Sequence, residues 1–258
     1  MTEHQTAPSA AELRTVFLAR DLADGEIGCC GVGALIPFAA MRLAQETHAP
    51  NLTIALEGQL NPVPGGTIRT PTDPRVHRGS EATTDLADLF VASERGLDFW
   101  FMSAVQTDRW GNLNHFGVGR ADDRFAFRAP GVGNVSLAAT CGRWYNVPDS
   151  HSPRGFVSEV DFVSAVGNGP RRAALGARNP NAGGGCRYVV SPIAILDFDA
   201  EGRMRLLHPL PGVTSAQVAE ATGFELAPRS DPSPTLVAPS AAELEILRRV
   251  VDPEGSLR

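Results

Sequence analysis

Apolar positions at helical spacing open the chain. Leu13, Val16 and Phe17, with Leu22 as a further member, follow Ser9-Ala-Ala-Glu12, a capping box whose hydroxyl and carboxylate each satisfy an orphan N–H. This helix stops before Gly25, and an apolar run predicts a strand over Glu26 to Cys30. After Gly31-Val-Gly33 the spacing predicts a helix from Ala34 to Gln45, with Pro37 tolerated in its first turn. Leu52, Ile54 and Leu56 then form a short buried strand, completing a β-turn-α-β unit that is expected to be parallel and right-handed.

Further along, residues 61 to 85 read as a long Pro/Gly/Thr/Arg loop, Ala82 to Ala92 as a helix, and Leu97 to Val105 as a strand. Phe156 to Ala165 reads as another strand, and Asn168 to Arg187 as a basic flexible loop. Tyr188 to Phe198 and Met204 to Leu207 pair as a hairpin across Asp199-Ala-Glu-Gly202. Thr214-x-x-Gln217 and Ser240-x-x-Glu243 cap two more helices, joined by an extended proline-rich connector at 228 to 239. Strands alternating with helices predict a parallel or mixed α/β sheet.

The strand at Leu52 ends in Glu57-Gly58. A core strand rarely carries Glu, because burying a charge is costly. At the last position before a glycine turn, the carboxylate can lean out over the sheet end, where ligands of open α/β sheets sit. Glu57 is therefore the first candidate functional residue, against the plain alternative of a solvated Glu at a strand end. Gly31-x-Gly33, with Glu57 lying 24 residues on (57 − 33), partly matches a dinucleotide fingerprint, but Ile36 stands at the third glycine position.

Two loops are rich in hydrogen-bonding groups. Gln106-Thr-Asp108-Arg-Trp-Gly111-Asn112-Leu-Asn114 packs three amides and a carboxylate into a turn. Pro130-Gly131-Val132-Gly133-Asn134 offers backbone N–H groups for an oxyanion or phosphate, or simply a strand-to-helix crossing that needs small residues. His115 and His208 read as serving turns and packing. Trp144 and Tyr145 read as pocket-lining or core aromatics, inside a segment, 140 to 155, to which the pattern assigns no element. Arg171, Arg172 and Arg178 are either contacts for the phosphates of an acidic ligand or a solvated surface.

Composition removes several chemistries. The 258 residues, 43% hydrophobic and 20% charged, suit one large core or two smaller ones. A net charge of −6 argues against a nucleic-acid partner, and the lack of an 18-residue apolar run argues against a membrane span. The polar start of the chain lacks a secretory h-region, and Cys29, Cys30, Cys141 and Cys186 form no C-x-x-C pair, so a reducing cytoplasm and no metal site are expected. All 23 basic residues are Arg, which excludes Schiff-base chemistry, lysine-bound pyridoxal phosphate and a P-loop within the chain.

Taken together these residues resemble the family I CoA-transferases. Gln106-x-Asp108-x-x-Gly111-Asn112-x-Asn114 is similar to their Q-x-D-x-x-G-N-x-N segment. The order from Gly31-Val-Gly33 through Glu57 and Gly131-Val-Gly133-Asn134 to "LHPLPGVTSAQVAEATGFEL" is similar to their β subunits, above all the glutaconate CoA-transferase type. The likeness covers roughly residues 10 to 255. It implies one domain over 1–258 behind a disordered tail at 1–9, with an open, mostly parallel α/β sheet flanked by helices, the CoA-transferase-like (NagB/RpiA-like) fold. It also implies a homologous α subunit in an α2β2 assembly, coenzyme A as substrate and no permanently bound cofactor. By the same resemblance Glu57 matches the nucleophile, the segment Gly131, Val132, Gly133 and Asn134 the thioester-site lining, and Gln106, Asp108, Gly111, Asn112 and Asn114 the site loop. The flank departs from the family. Its members read Ser-Glu-Asn-Gly or Val-Glu-Ser-Gly, whereas this chain reads Leu56-Glu57-Gly58-Gln59. Relatives of the same fold include CoA-thioester decarboxylases and ring-cleaving hydrolases, so hydrolase or lyase chemistry is the alternative.

Overall fold

A computed structural model describes residues 7–31, 33–121, 124–129, 131, 135–232 and 235–258. In chain order its elements begin with α1 (Ala10–Ala19), β1 (Ile27–Cys30), α2 (Leu35–Thr47), β2 (Thr53–Leu56), β3 (Gln59–Leu60), β4 (Ala82–Thr83), α3 (Leu86–Gly96) and β5 (Phe99–Met102). Two small hairpins follow, β6 (Gln106–Thr107) with β7 (Leu113–Asn114), and β8 (Gly117–Ala121) with β9 (Arg124–Arg128). The remainder is α4 (Val135–Thr140), β10 (Arg143–Asn146), α5 (Gly169–Arg178), β11 (Cys186–Val190), β12 (Ala194–Phe198), β13 (Met204–Pro209), α6 (Ser215–Ala221) and α7 (Ala241–Ile246).

The main sheet is mostly parallel and nine-stranded, in the order β13-β12-β11-β10-β5-β1-β2-β3-β4. Its five central strands, β11, β10, β5, β1 and β2, run parallel, and antiparallel hairpins extend both edges. Close approach at the centre demands a glycine. A Cβ on Gly28 would lie 2.0 Å from the ring of its register partner Phe99.

Strand alternation sends side chains to two cores. One face buries Cys30, Ile54, Leu56, Phe101 and Tyr145 beneath α1 and α2; the other buries Cys29, Ala55, Trp100 and Trp144 with Leu89 of α3, Leu137 of α4 and Val218 of α6. From α1, the buried guanidinium of Arg14 donates to the carbonyls of Pro148 and Val190 at 2.9 and 2.8 Å, tying down the carboxyl ends of β10 and β11. Among the described residues no helix is long and apolar enough to cross a membrane.

The capping boxes at Ser9, Thr214 and Ser240 stand as the sequence predicts. Several expectations need correction. The tail is fixed at its end, since Ser9 caps α1 and its hydroxyl donates to the Leu257 carbonyl; residues 1–6 lie outside the described residues. The helix expected from Ala82 begins at Leu86, because the carboxylate of Asp85 takes the N–H of Asp88 and leaves Ala82–Thr83 to pair with β3. Phe156 to Ala165 is not a strand of the sheet. It spends its backbone groups on the β6–β7 hairpin, as in Val157 N–H to the Thr107 carbonyl at 2.9 Å.

The basic segment contains α5, with Pro170 in its first turn, and is not a loop throughout. The run Tyr188 to Phe198 is two strands. Its chain reverses where the Ser191 hydroxyl accepts the Ala194 N–H at 3.0 Å. The unassigned segment 140 to 155 supplies β10, and Trp144 and Tyr145 on it are fully buried core residues.

Candidate functional site

In an open α/β sheet, a crevice forms outside the carboxyl ends of the strands where the chain switches direction across the sheet. Here β1 pairs with β2 on one side and β5 on the other, so the crevice opens beyond Cys30 and Met102. At about 4.8 Å per strand spacing, the ends of β2 and β5 stand roughly 10 Å apart across it. Gly31 and Gly33 follow β1, and the loop is pinned where Ala34 N–H donates to the Arg69 carbonyl at 3.1 Å.

Glu57 stands on this rim. With Gly58 it makes the two-residue turn between β2 and β3, flanked by the paired residues Leu56 and Gln59, and its side chain is exposed. Gly58 takes φ +111°, a left-handed conformation that favours glycine, and its N–H donates to the Leu56 carbonyl at 2.7 Å. Glu57 lies one residue beyond β2, whose Ala55 shares a face with Cys29 and Met102. Burial pushes the thiols of Cys29 and Cys30 up, and the nearby Glu57 charge adds to this, so both stay protonated and inert.

The Gln106–Asn114 segment packs on the core face of Cys29, Ala55 and Met102, which Leu113 joins. Asp108 is buried, and its carboxylate accepts the N–H groups of Trp110 and Asn112 at 2.9 and 3.0 Å and the Asn112 side-chain amide at 2.9 Å. Burial raises its pKa despite these bonds. Gln106 Oε1 accepts from Asn114 Nδ2 at 2.7 Å, and Asn112 Oδ1 accepts the Gly167 N–H at 2.9 Å. Gly111 adopts φ +72° under the ring of Phe198, where a Cβ would come within 2.7 Å. Every polar side chain of the motif is thus engaged in holding the hairpin and its neighbours.

His115 follows the motif, with its N–H and ring Nδ1 on the Ser164 hydroxyl at 2.8 and 2.9 Å. Burial holds its pKa down at about 4, so the ring is neutral. The carbonyl of His115 accepts the Gly131 N–H at 3.2 Å, which brings Gly131 alongside the motif. Val132, Gly133 and Asn134 lie outside the described residues. His208 is a buried residue of β13, set in register opposite Ile195 and away from this crevice.

Arg172 does not reach the crevice. It donates to the carbonyls of Gly167 and Ala138 at 2.9 and 2.8 Å, beside a groove of about 1010 Å³ at the amino ends of β10 and β11. The side chain of Asn146, at the carboxyl end of β10, donates to the Thr107 hydroxyl at 2.8 Å, joining the sheet to the motif hairpin. Neither Asn146 nor Arg14 carries a sequence signal, since each depends on partners more than 35 residues away. Among the described residues, no cluster of three His, Cys, Asp or Glu side chains has the arrangement of a metal site.

No family model matches the chain. The chain is 29% identical over 256 residues to one subunit of the 3-oxoadipate CoA-transferase of Pseudomonas knackmussii, covering 94% of this chain and 93% of that protein. It is 30% identical over 231 residues to the IpdB subunit of the cholesterol ring-cleaving hydrolase of Rhodococcus jostii, covering 86% and 84%. Among solved structures it is similar to the decarboxylase AibA/AibB, with TM-score 0.81 and 27% identity over 96% of this chain and 97% of that one. It is likewise similar to glutaconate CoA-transferase from Acidaminococcus fermentans, with TM-score 0.81 and 25% identity over 96% of both chains. With a likeness that covers nearly the whole chain, it belongs to the family I CoA-transferase β subunits.

Proposed function

We propose that this chain is the β subunit of an enzyme that moves coenzyme A between an acyl-CoA thioester and a carboxylic acid, with Glu57 as nucleophile. The observation that carries the reading is the position of Glu57, an exposed carboxylate in a tied two-residue turn at the carboxyl end of a central parallel strand. Such a group is supported by the scaffold and open to substrate.

The Glu57 carboxylate attacks the acyl-CoA carbonyl, and the tetrahedral intermediate expels CoA thiolate to leave a mixed anhydride. The thiolate then attacks the glutamyl carbonyl, releasing the first carboxylate and forming a glutamyl-CoA thioester. An incoming carboxylate reverses the sequence, carrying CoA away as a new thioester and restoring Glu57. A covalent intermediate splits one difficult transfer into easier steps. Developing oxyanions need fixed donors. The N–H groups of the Gly131–Asn134 segment are the proposed source, that of Gly131 already donating to the His115 carbonyl. Coenzyme A is the substrate, and this route calls on no resident cofactor.

The two-subunit relatives AibA/AibB and IpdAB support a partner subunit, and we assign an α2β2 assembly with a homologous α chain. Four buried free thiols fit a reducing cytoplasm.

Two observations favour a second reading, hydrolysis or carbon–carbon cleavage of a CoA thioester. The ring-cleaving IpdB subunit is 30% identical, and the flank Leu56-Glu57-Gly58-Gln59 departs from the transferase pattern. Acceptor dependence separates the two. In the copurified complex, CoA release from succinyl-CoA should require added acetate and yield acetyl-CoA, and Glu57→Gln should abolish it with assembly intact. Release at the same rate without acceptor supports the hydrolase, and full activity in Glu57→Gln removes Glu57 from the chemistry.

A further inference from the structure

The turn that carries Glu57 has a support outside the sheet. Two residues after Glu57, the side chain of Gln59 is 3% exposed, unusual for an amide on a two-residue strand near a sheet edge. Its Nε2 lies 2.9 Å from Nδ1 of His77. His77 ends a short 3₁₀ turn, Pro74–His77, that is itself well anchored. Asp73 accepts the Arg75 N–H at 2.9 Å at its start, Val76 is buried in the core, and the Arg78 carbonyl accepts the Val63 N–H at 2.9 Å just beyond it. With the Gln59 amide as donor, Nδ1 is the acceptor and the ring carries its proton on the outer Nε2.

The backbone of the same hairpin is held by its ladders to β2 and β4 and by Gly58 N–H to the Leu56 carbonyl at 2.7 Å. The Gly58 carbonyl accepts the Thr84 N–H at 3.0 Å, and β3 and β4 are two residues each. The Gln59–His77 contact adds to these bonds a side-chain link from the Glu57–Gly58 hairpin to the anchored 3₁₀ turn.

We infer that Gln59 and His77 form a positioning pair that holds the Glu57–Gly58 turn and so sets the direction of the Glu57 carboxylate. The inference deepens the proposed function and rests on it. A nucleophile displaced by about 1 Å loses on the order of 100-fold in rate.

The test uses the copurified complex and two readouts. Hydrogen exchange of the Gly58 and Thr84 amides reports the turn directly, and CoA release from succinyl-CoA with acetate as acceptor reports turnover. His77 is exposed, so His77→Ala is expected to leave the fold intact. It should speed exchange of these two amides at least tenfold and lower kcat about 10- to 100-fold with KM nearly unchanged. His77→Asn, whose side-chain oxygen can accept from Gln59, should restore both. Wild-type exchange at Gly58 and Thr84 in His77→Ala overturns the pair, whatever happens to turnover. Glu57→Gln, run in parallel, separates the two ideas. It should lose turnover with unchanged exchange, and if it keeps turnover the nucleophile reading falls while the exchange data still decide whether the pair holds the turn.

Discussion

Gly58 and Thr84 are joined by a single main-chain hydrogen bond, Thr84 N–H to the Gly58 carbonyl at 3.0 Å, and a Cβ on Gly58 would stand 3.3 Å from the Thr84 carbonyl oxygen. With φ at +111°, the position combines a glycine conformation with a crowded approach.

Gly58→Ala is therefore expected to destabilise the chain by about 1–3 kcal/mol and to lower turnover by turning the Glu57 carboxylate off its line. Urea denaturation of the complex together with steady-state kinetics checks both. Unchanged stability and rate would mean that the turn tolerates a side chain and does not fix Glu57.

The motif from Gln106 to Asn114 should behave as a structural part. Asp108→Ala orphans the buried N–H groups of Trp110 and Asn112, each worth about 1–3 kcal/mol when left without a partner. The variant should melt several degrees lower, while the kcat of the folded fraction stays within about threefold of wild type. A large fall in kcat at unchanged stability would instead place Asp108 in the chemistry.

Acid sensitivity should come in part from His151. Its ring is stacked on Phe156 at 3.7 Å, with Nδ1 on the Ser191 hydroxyl at 2.8 Å and Nε2 on the Thr222 hydroxyl at 3.0 Å. Burial lowers its pKa from the ordinary 6.5 to about 4. A histidine depressed in the folded state favours unfolding once protonated. Its contribution is complete above pH 6.5 and is lost as pH falls from there through about 4. Stability measured across that window should fall less steeply in His151→Gln than in wild type; equal slopes would exclude the residue as a source of the sensitivity.

Features set by neighbours in sequence are legible from the sequence. Ser9 with Glu12, Thr214 with Gln217 and Ser240 with Glu243 are local devices, and each caps its helix. The apolar run ending at Glu57 is equally local, and it forms a central strand ending at the rim. What escapes depends on distant partners. Strand β10 reads Arg143-Trp-Tyr-Asn, with no apolar alternation, because Arg143 sends its guanidinium to Glu26 at 2.6 Å and the Tyr145 hydroxyl reaches Asp21 at 2.6 Å. Helix α5 buries no residue, and the side chain it turns inward is Arg172, which donates to the Gly167 and Ala138 carbonyls, so no core-facing apolar stripe marks it. The His77 partner of Gln59 lies 18 residues away in a proline-rich loop, where no periodicity points to it.

The central claim is that Glu57 carries coenzyme A during turnover, and peptide mass spectrometry tests it most directly. The copurified complex would be incubated with acetyl-CoA, succinyl-CoA and glutaryl-CoA, digested rapidly, and the peptide spanning Glu57 searched for CoA in thioester linkage. The predicted result is CoA on Glu57 that disappears when a carboxylic acid is added, with the matching new acyl-CoA released. Turnover with an unmodified Glu57 peptide, or CoA attached to another residue, would contradict it.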